Sequence, residues 1–534
     1  MLVKASNDCR VSFGHCATHP EWTLHRLTPA SRLYGANGLR TGPDGLIYIA
    51  QVPGSQISTL DIATGVVGVA SPMGGDIVAP DDIAFDSQGN LYATEITEGR
   101  VSVIDTLGKT RVLMGNMPCA NPITIHQDRI LTGECRPDGR LLELDKNGGE
   151  PRTLLENVPM PNAMEVGPDG KLYFPVMATN EIWRIDLDGG EPEIVAKGLG
   201  VPDSVKFDKD GFIVSTQVAS GQVLRIDPAT GEQTLLAQLS PGLDNCTFVG
   251  DRLFVSNING SIHEIANGAA TPVIDSGLQW PLGLAVATDD TLFVADGGFT
   301  YTLEQGQTMS LAGMLFSPGF PGYTRGVCAA QEGHWIVTTS NGEVSNYCPV
   351  KDTHEIIARG YDRLMDIARL SSGAIVTCEY QSGRLLLLDN NQEQVLSSDL
   401  HHPMGITTDE QDTIYVTESA SGKILAYSGG RHHTVVDGLT CPEGIDYYNG
   451  RLYIADTGDK SVKVFDLNSR QLATIAENLP IGAPPGITPK PLKAVGVLAG
   501  PMIPFCGLCV NTKGDVILAG DAEGSVLKLS PTRE

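Results

Sequence analysis

An all-β chain folded as tandem β-propellers is what the sequence predicts, on three observations. The first is a phrase that recurs from Ala36 towards the C-terminus: ANGLRTGPDGLIYIAQ at 36–51, DDIAFDSQGNLYATE at 81–95, NAMEVGPDGKLYFPV at 162–176, MGITTDEQDTIYVTE at 404–418 and EGIDYYNGRLYIADT at 443–457. Each copy joins two short apolar strands through a Gly/Asp turn, and self-similarity at about 40 residues with turn signals between alternating strands marks a propeller blade. The second is that third and fourth strands recur between the copies, as in RVSVIDTLGKTRVLMG at 100–115 and QVLRIDPATGEQTLLA at 222–237. A four-stranded antiparallel sheet of this kind cannot bury both faces alone and stacks on neighbours around a ring. The third is that the last unit supplies FCGLCV, DVILAG and SVLKLS and then ends one strand short. The segment Trp22 to Leu27 supplies that strand, which removes an exposed sheet edge.

The elements follow in order. EWTLHRLTPAS, 21–31, is strand-like and has no blade of its own. Twelve units come next, with second-strand cores at 46–50, 91–94, 130–132, 172–174, 212–215, 253–256, 292–295, 335–338, 375–377, 414–417, 452–455 and 516–519. A single ring of that size leaves a channel too wide for side chains to fill, so two six-bladed rings are expected. The first spans 36–276, and the second spans 277–534 with strand 21–28 completing it. Chain crossings fall near 29–35 and 276–281. Two stretches break the rhythm, an irregular blade at 297–324 and a Pro/Gly-rich insertion at 478–504, NLPIGAPPGITPKPLKAVGVLAGPMIP. Long loops without strand pattern act as lids, interface loops or linkers.

Composition narrows the partners. The 534 residues carry 37 Lys plus Arg against 63 Asp plus Glu, a formal charge of -26. Such a surface repels phosphate backbones and anionic lipid, which argues against nucleic acid and membrane as partners. No apolar run is long enough to span a bilayer, and the opening MLVKASNDCR has no apolar core behind its Lys, so a cytoplasmic location is expected. The 11 Cys are an odd count without framework spacing, which fits reduced thiols. Cys506 and Cys509 form a C-x-x-C on a blade strand rather than before a helix, and packing is the expected role.

In a propeller the innermost strand of each blade begins at one mouth of the central channel, so one position per blade builds a ring of side chains. In the first six units this position is Asn37, Asp81, Asn121, Asn162, Asp203 and Asp244; in the last six it is Leu282, Arg325, Met365, Met404, Glu443 and Cys506. Asn and Asp favour turns in any blade. That bias does not confine them to one half of the chain. Carboxylate and amide oxygens together suit a hard cation, calcium foremost, with magnesium, manganese or zinc as alternatives. Second-strand ends return to the same mouth, which brings Glu95, Glu134 and Gln217 close enough to orient ligands or touch substrate. The doublets His401–His402 and His432–His433 do not chelate by simple alternation, because adjacent strand residues face opposite ways.

With these residues in hand, units one to six resemble the senescence marker protein/gluconolactonase family and its wider six-bladed relatives, the paraoxonase-like and strictosidine synthase-like proteins. The resemblance implies a divalent metal held by an acidic residue at the start of one blade, Asn two and three blades on, and Asp on the next. Here Asn121 in CANPITI and Asn162 in MPNAMEV match the two Asn, Asp203 in VPDSVKF matches the Asp, and Asn37 stands where that family has Glu. Asp81 and Asp244 restore the missing charge. The implied activity is opening of a lactone or related ester, with Asp203 as ligand and proton acceptor and Asp81 and Asp244 as further candidate bases. The phrases PDGLIYIAQ and TIYVTES are also similar to virginiamycin B lyase, which implies elimination, and to non-catalytic repeat scaffolds.

Overall fold

The computed structural model describes residues 10, 14–304, 306–331, 333–390 and 392–532. Of the opening segment read for a leader, only Arg10 falls among them. Apart from two single-turn 3-10 helices, Met177–Thr179 and Pro349–Lys351, the regular elements are strands, arranged in 12 antiparallel sheets. The chain is a tandem β-propeller. Six sheets, at 39–71, 80–114, 120–158, 165–196, 206–238 and 243–274, lie in a unit formed by Arg32–Gln279 and Ile487–Leu498. The other six, at 281–314, 324–359, 364–397, 403–436, 442–477 and 508–531, lie in a unit formed by Met1–Ser31, Trp280–Gly486 and Ala499–Glu534. These are called the first and second rings below. The sequence reading placed all of 277–534 in the second ring; the segment Ile487–Leu498 instead groups with the first.

The turn chemistry of the repeated phrase explains each hairpin. In blade two the Asp86 carboxylate accepts the backbone N–H of Gln88 (3.0 Å) and Asn90 (2.9 Å), while Gly89 takes a φ of 83°, a conformation open to glycine. Asp409 makes the same pair of bonds to Gln411 and Thr413. Adjacent blades bury their faces on one another: Tyr92 and Val101 of blade two pack with Ile123, Ile130 and Leu142 of blade three. A Thr or Ser on the second strand fastens several of these pairs further. Thr94 Oγ1 donates to the carbonyl of Asn121 (2.6 Å), and Ser256 Oγ donates to that of Asn37 (2.8 Å), closing the first ring between blades six and one.

The second ring closes as expected from the chain ends. Trp22–Arg26 pairs antiparallel with Ser525–Pro531, Trp22 opposite Pro531 and Arg26 opposite Leu527. Arg26 then grips Glu523 through Nε (2.7 Å) and Nη2 (3.1 Å). A short strand, Ala17–Thr18, adds a fifth strand to the 442–477 sheet. Cys506 and Cys509 are buried free thiols, held well above the usual thiol range by burial. Among the described residues, no helix is long and apolar enough to cross a membrane.

Candidate functional site

The six inner-strand residues of the first ring are all buried, from 4% exposed at Asn162 to 8% at Asp81. Backbone bonds to the second strand set each one: Asn37 N–H reaches the Ala50 carbonyl (2.9 Å) and Asp203 N–H that of Thr216 (2.9 Å). Two amide–carboxylate pairs form between neighbouring blades. Asn162 Nδ2 donates to Asp203 Oδ2 at 3.0 Å, and Asn37 Nδ2 donates to Asp244 Oδ2 at 3.1 Å. The orientation of both amides follows from their oxygens, which accept Ala163 N–H (2.8 Å) and Val52 N–H (3.2 Å). Among the described residues the Asp81 carboxylate and the Asn121 amide have no hydrogen-bond partner.

Among the described residues, three carboxylates therefore share one mouth with no ion pair to a cationic side chain. Burial pushes the Asp81 carboxyl up to about 7, with a further contribution from Asp82. Burial also raises Asp203 well above the usual range, followed by the charges of Asp244, Asp81 and Asp82. Asp244 is raised by burial and by Asp81, against the bond from Asn37. Desolvated like charges are costly unless a proton or a cation neutralises them.

Beneath the ring lies a layer that the sequence reading did not single out. Asp82 accepts the N–H of Ile83 (2.9 Å) and Ile123 (3.1 Å), and Asn245 Nδ2 reaches it at 3.3 Å. Each simply follows a ring residue, so the doublets Asp81-Asp82 and Asp244-Asn245 were the available signal. Deeper still, Glu165 Oε2 joins Arg40 Nη1 (2.9 Å) and Lys206 Nζ (3.0 Å), while Arg40 also donates to the Ile83 and Ile123 carbonyls. Burial works against ionisation of Glu165, but Lys206 and Arg40 outweigh it and hold the carboxyl at about 2. The triad and the two carbonyls tie five blades together.

The second-strand residues have structural partners. Glu95 accepts Val78 N–H (2.7 Å) and both Arg100 Nε (2.8 Å) and Nη2 (2.7 Å). Glu134 is gripped by Arg136 and Arg140. Gln217 accepts Gly200 N–H (3.0 Å) and donates to Ser215 (2.9 Å). The same position binds the incoming loop in other blades, as Gln51 does to Tyr34 N–H and Glu418 to His401 N–H. These side chains hold the loops that carry the ring.

Left-handed backbone recurs just before the ring position, in the second ring at Arg363 (φ 54°) and His402 (φ 50°) as well as in the first. Two residues before the ring position, the first ring has Ala79, Cys119, Met160 and Val201, all at φ between 47° and 63°, with Gly35 and Gly242 in the remaining blades. Left-handed backbone at non-glycine residues, above all at a β-branched Val, stores strain that clusters at functional sites. Each bonds through its carbonyl to the residue just past the second strand, as Cys119 does with Cys135 N–H (2.9 Å) and Val201 with Val218 N–H (2.8 Å). Those partners are Ile96, Cys135, Met177, Val218 and Ile258, and with Ala79, Cys119, Met160 and Val201 they make an apolar collar at the polar ring.

The second ring departs from this pattern. Its collar is mixed, with Arg363, His402, Ser340, Ser419 and Thr457 beside Tyr323, Tyr380 and Cys441, and its ring is largely apolar. Just inside, Gly283 and Gly507 let inner strands touch: a Cβ would stand 2.1 Å from the Arg325 carbonyl and 2.4 Å from that of Leu282. Arg325 is buried and donates to the carbonyls of Leu364 (2.6 Å) and Pro501 (2.9 Å), with burial lowering its pKa to about 10. Glu443 accepts Thr457 Oγ1 and Cys506 N–H, both at 2.7 Å. His402 stacks on Tyr380 at 4.3 Å, and His432 and His433 stand on an exposed outer strand.

Among the described residues, no three His, Cys, Asp or Glu side chains are arranged as a metal cluster. A cation at the first mouth thus depends on amide oxygens as well. In kind and charge the donors fit one: hard oxygen ligands from Asn37, Asn121, Asn162 and Asp203, with the uncompensated carboxylates of Asp81 and Asp244 beside them.

Fold and site together define a propeller with a polar, acidic mouth in its first ring. The family described as SMP-30/Gluconolactonase/LRE-like region matches residues 123–259, blades three to six of that ring, and the chain is gluconolactonase-like there. No curated protein matches the chain. Solved structures similar to it include a streptogramin B lyase, at 18% identity over 51% of this chain and 94% of that one, with a TM-score of 0.39. Virginiamycin B lyase from Staphylococcus aureus is 18% identical over 52% of this chain and 96% of its own, TM-score 0.38. A gluconolactonase from Xanthomonas campestris is 17% identical over 49% and 95%, TM-score 0.39.

Proposed function

We propose that the first ring is a divalent-metal-dependent hydrolase that opens a lactone or related ester. The observation that carries this reading is the convergence of Asp81, Asp203 and Asp244, buried and without a cationic partner among the described residues, at a single channel mouth. The family match over 123–259 supports it, since Asn162, Asp203 and Asp244 fall inside that stretch. Asn37, Asn121, Asn162 and Asp203 would hold a calcium or comparable divalent ion, which would supply Lewis-acid polarisation of a carbonyl. The chain's own groups do the rest. Asp203 takes a proton from the attacking water as its oxygen bonds to the carbonyl carbon, and returns it to the departing alkoxide as the ring C–O bond breaks. Asp81, whose carboxylate has no hydrogen-bond partner among the described residues, is the alternative acceptor.

The test is a panel of lactones assayed with and without chelator, with product mass recorded. Hydrolysis adds one water to the substrate; elimination, the competing route, adds none. Activity that survives complete chelation, or products of unchanged mass, would reject the proposal. Asp203→Asn is expected to lower kcat/KM by at least about a hundredfold with the fold intact, in the range general-base removal costs.

A further inference from the structure

We propose, resting on the hydrolase reading of the first mouth, that its substrates carry an aliphatic arm, bound by the apolar collar and by the segment Ile487–Leu498. Three observations lead there. Collar positions are not apolar by the demands of the fold, because the second ring fills several of the equivalent places with Arg363, His402, Ser340, Ser419 and Thr457. A polyhydroxylated ring would meet hydrogen-bonding groups on such a collar, whereas the first ring offers it methyls and sulfurs. Burying unpaired hydroxyls there costs more than it returns.

The second observation is the segment itself. Lys493 Nζ pairs with Glu98 Oε2 at 2.7 Å, Lys490 donates to the Gly75 carbonyl, and Leu492 and Val495 are buried. Gly75 precedes the inner strand of blade two and Glu98 follows its second strand, so the anchors lie on the rim beside Asp81. The third is a close approach. A Cβ on Gly496 would stand 3.0 Å from the Sγ of Cys119, a collar residue whose thiol feels the charge of Asp81. The next residue, Val497, is 71% exposed, an apolar side chain left in solvent at the rim. Pro489 and Pro491 stiffen the segment and lower the entropy lost in holding it there. Collar and segment together make an apolar wall around a polar centre, the arrangement that accepts a carbonyl inward and a hydrocarbon tail along the rim.

Unreactive γ-lactams with alkyl tails of two to eight carbons separate this inference from the hydrolase reading, because they test binding without turnover. Calorimetry on the calcium-loaded full chain is expected to show affinity rising roughly two- to fourfold per added methylene, the range for progressive burial of CH2 groups. Val497→Asp, a solvent-exposed change that leaves the core untouched, should flatten that series. Lys493→Glu, which sets two carboxylates against each other at Glu98, should flatten it too. Affinity independent of tail length, the same slope in both variants, or no lactam binding at all would overturn the inference. Tail-dependent lactam binding without lactone hydrolysis would uphold the wall and overturn the proposed reaction.

Discussion

Replacing Asp81 by Asn tests the idea that the first mouth holds carboxylates at the expense of stability. The substitution is nearly isosteric, and among the described residues the Asp81 side chain accepts no hydrogen bond, so no native contact is lost. What disappears is a buried charge. Its carboxyl sits at about 7 against an ordinary 3.8, and each pH unit of that difference is worth about 1.4 kcal/mol, giving a ceiling of roughly 4 kcal/mol. The sign follows from the direction of the shift. A carboxyl raised in the folded state favours folding below its unfolded value and loses that advantage as pH climbs through its folded value. Asp81→Asn should therefore stabilise the metal-free protein at pH 8, by about 1 to 4 kcal/mol, and leave it unchanged near pH 3. Urea denaturation in chelator at the two pH values reads both. A variant that is less stable at pH 8, or equally stabilised at both, would refute the reasoning. Lost turnover accompanying the gain would mark the mouth as a site where activity and stability oppose each other.

Two further substitutions probe the interiors of the rings. Glu165→Gln should cost about 3 kcal/mol at neutral pH, from a carboxyl held at about 2 rather than 4.5 by Lys206 and Arg40. Because that pKa is depressed, the contribution is present above pH 4.5 and vanishes as pH falls through about 2; a loss below about 0.5 kcal/mol at pH 7 would dismiss the triad as a brace. In the second ring, Glu443 and Asp366 are both raised to about 7, by burial first in each case. Acidification from pH 8 to pH 5 should therefore raise the melting temperature, and Glu443→Gln should reduce that rise. A melting temperature that falls steadily over this interval would contradict it.

Much of the architecture was legible in the residues because blade structure is local. A Gly/Asp turn and two alternating strands are specified within about 15 residues, and Asp86 with Gly89 makes that turn from its own side chain and backbone. The closing strand Trp22–Arg26 was legible for a different reason, an unpaired edge that the chain's other end could cover. The ring positions followed from topology, since every inner strand starts at the same mouth. Their partners did not. Glu95 and Glu134 look free in the sequence, yet Arg100, Arg136 and Arg140 engage them from a few residues away, because an antiparallel hairpin folds neighbours onto one face.

The sequence by itself determined the all-β class and the tandem array of four-stranded blades, which rest on repeats and short-range pairing. Only the tertiary structure decided which carboxylates are left without a counter-charge, that Ala79, Cys119, Met160 and Val201 adopt left-handed backbone, and that Ile487–Leu498 joins the first ring. Lys493 meets Glu98 across 395 positions of chain. Desolvation and contacts at that separation depend on every blade between them, and no window of sequence contains that information.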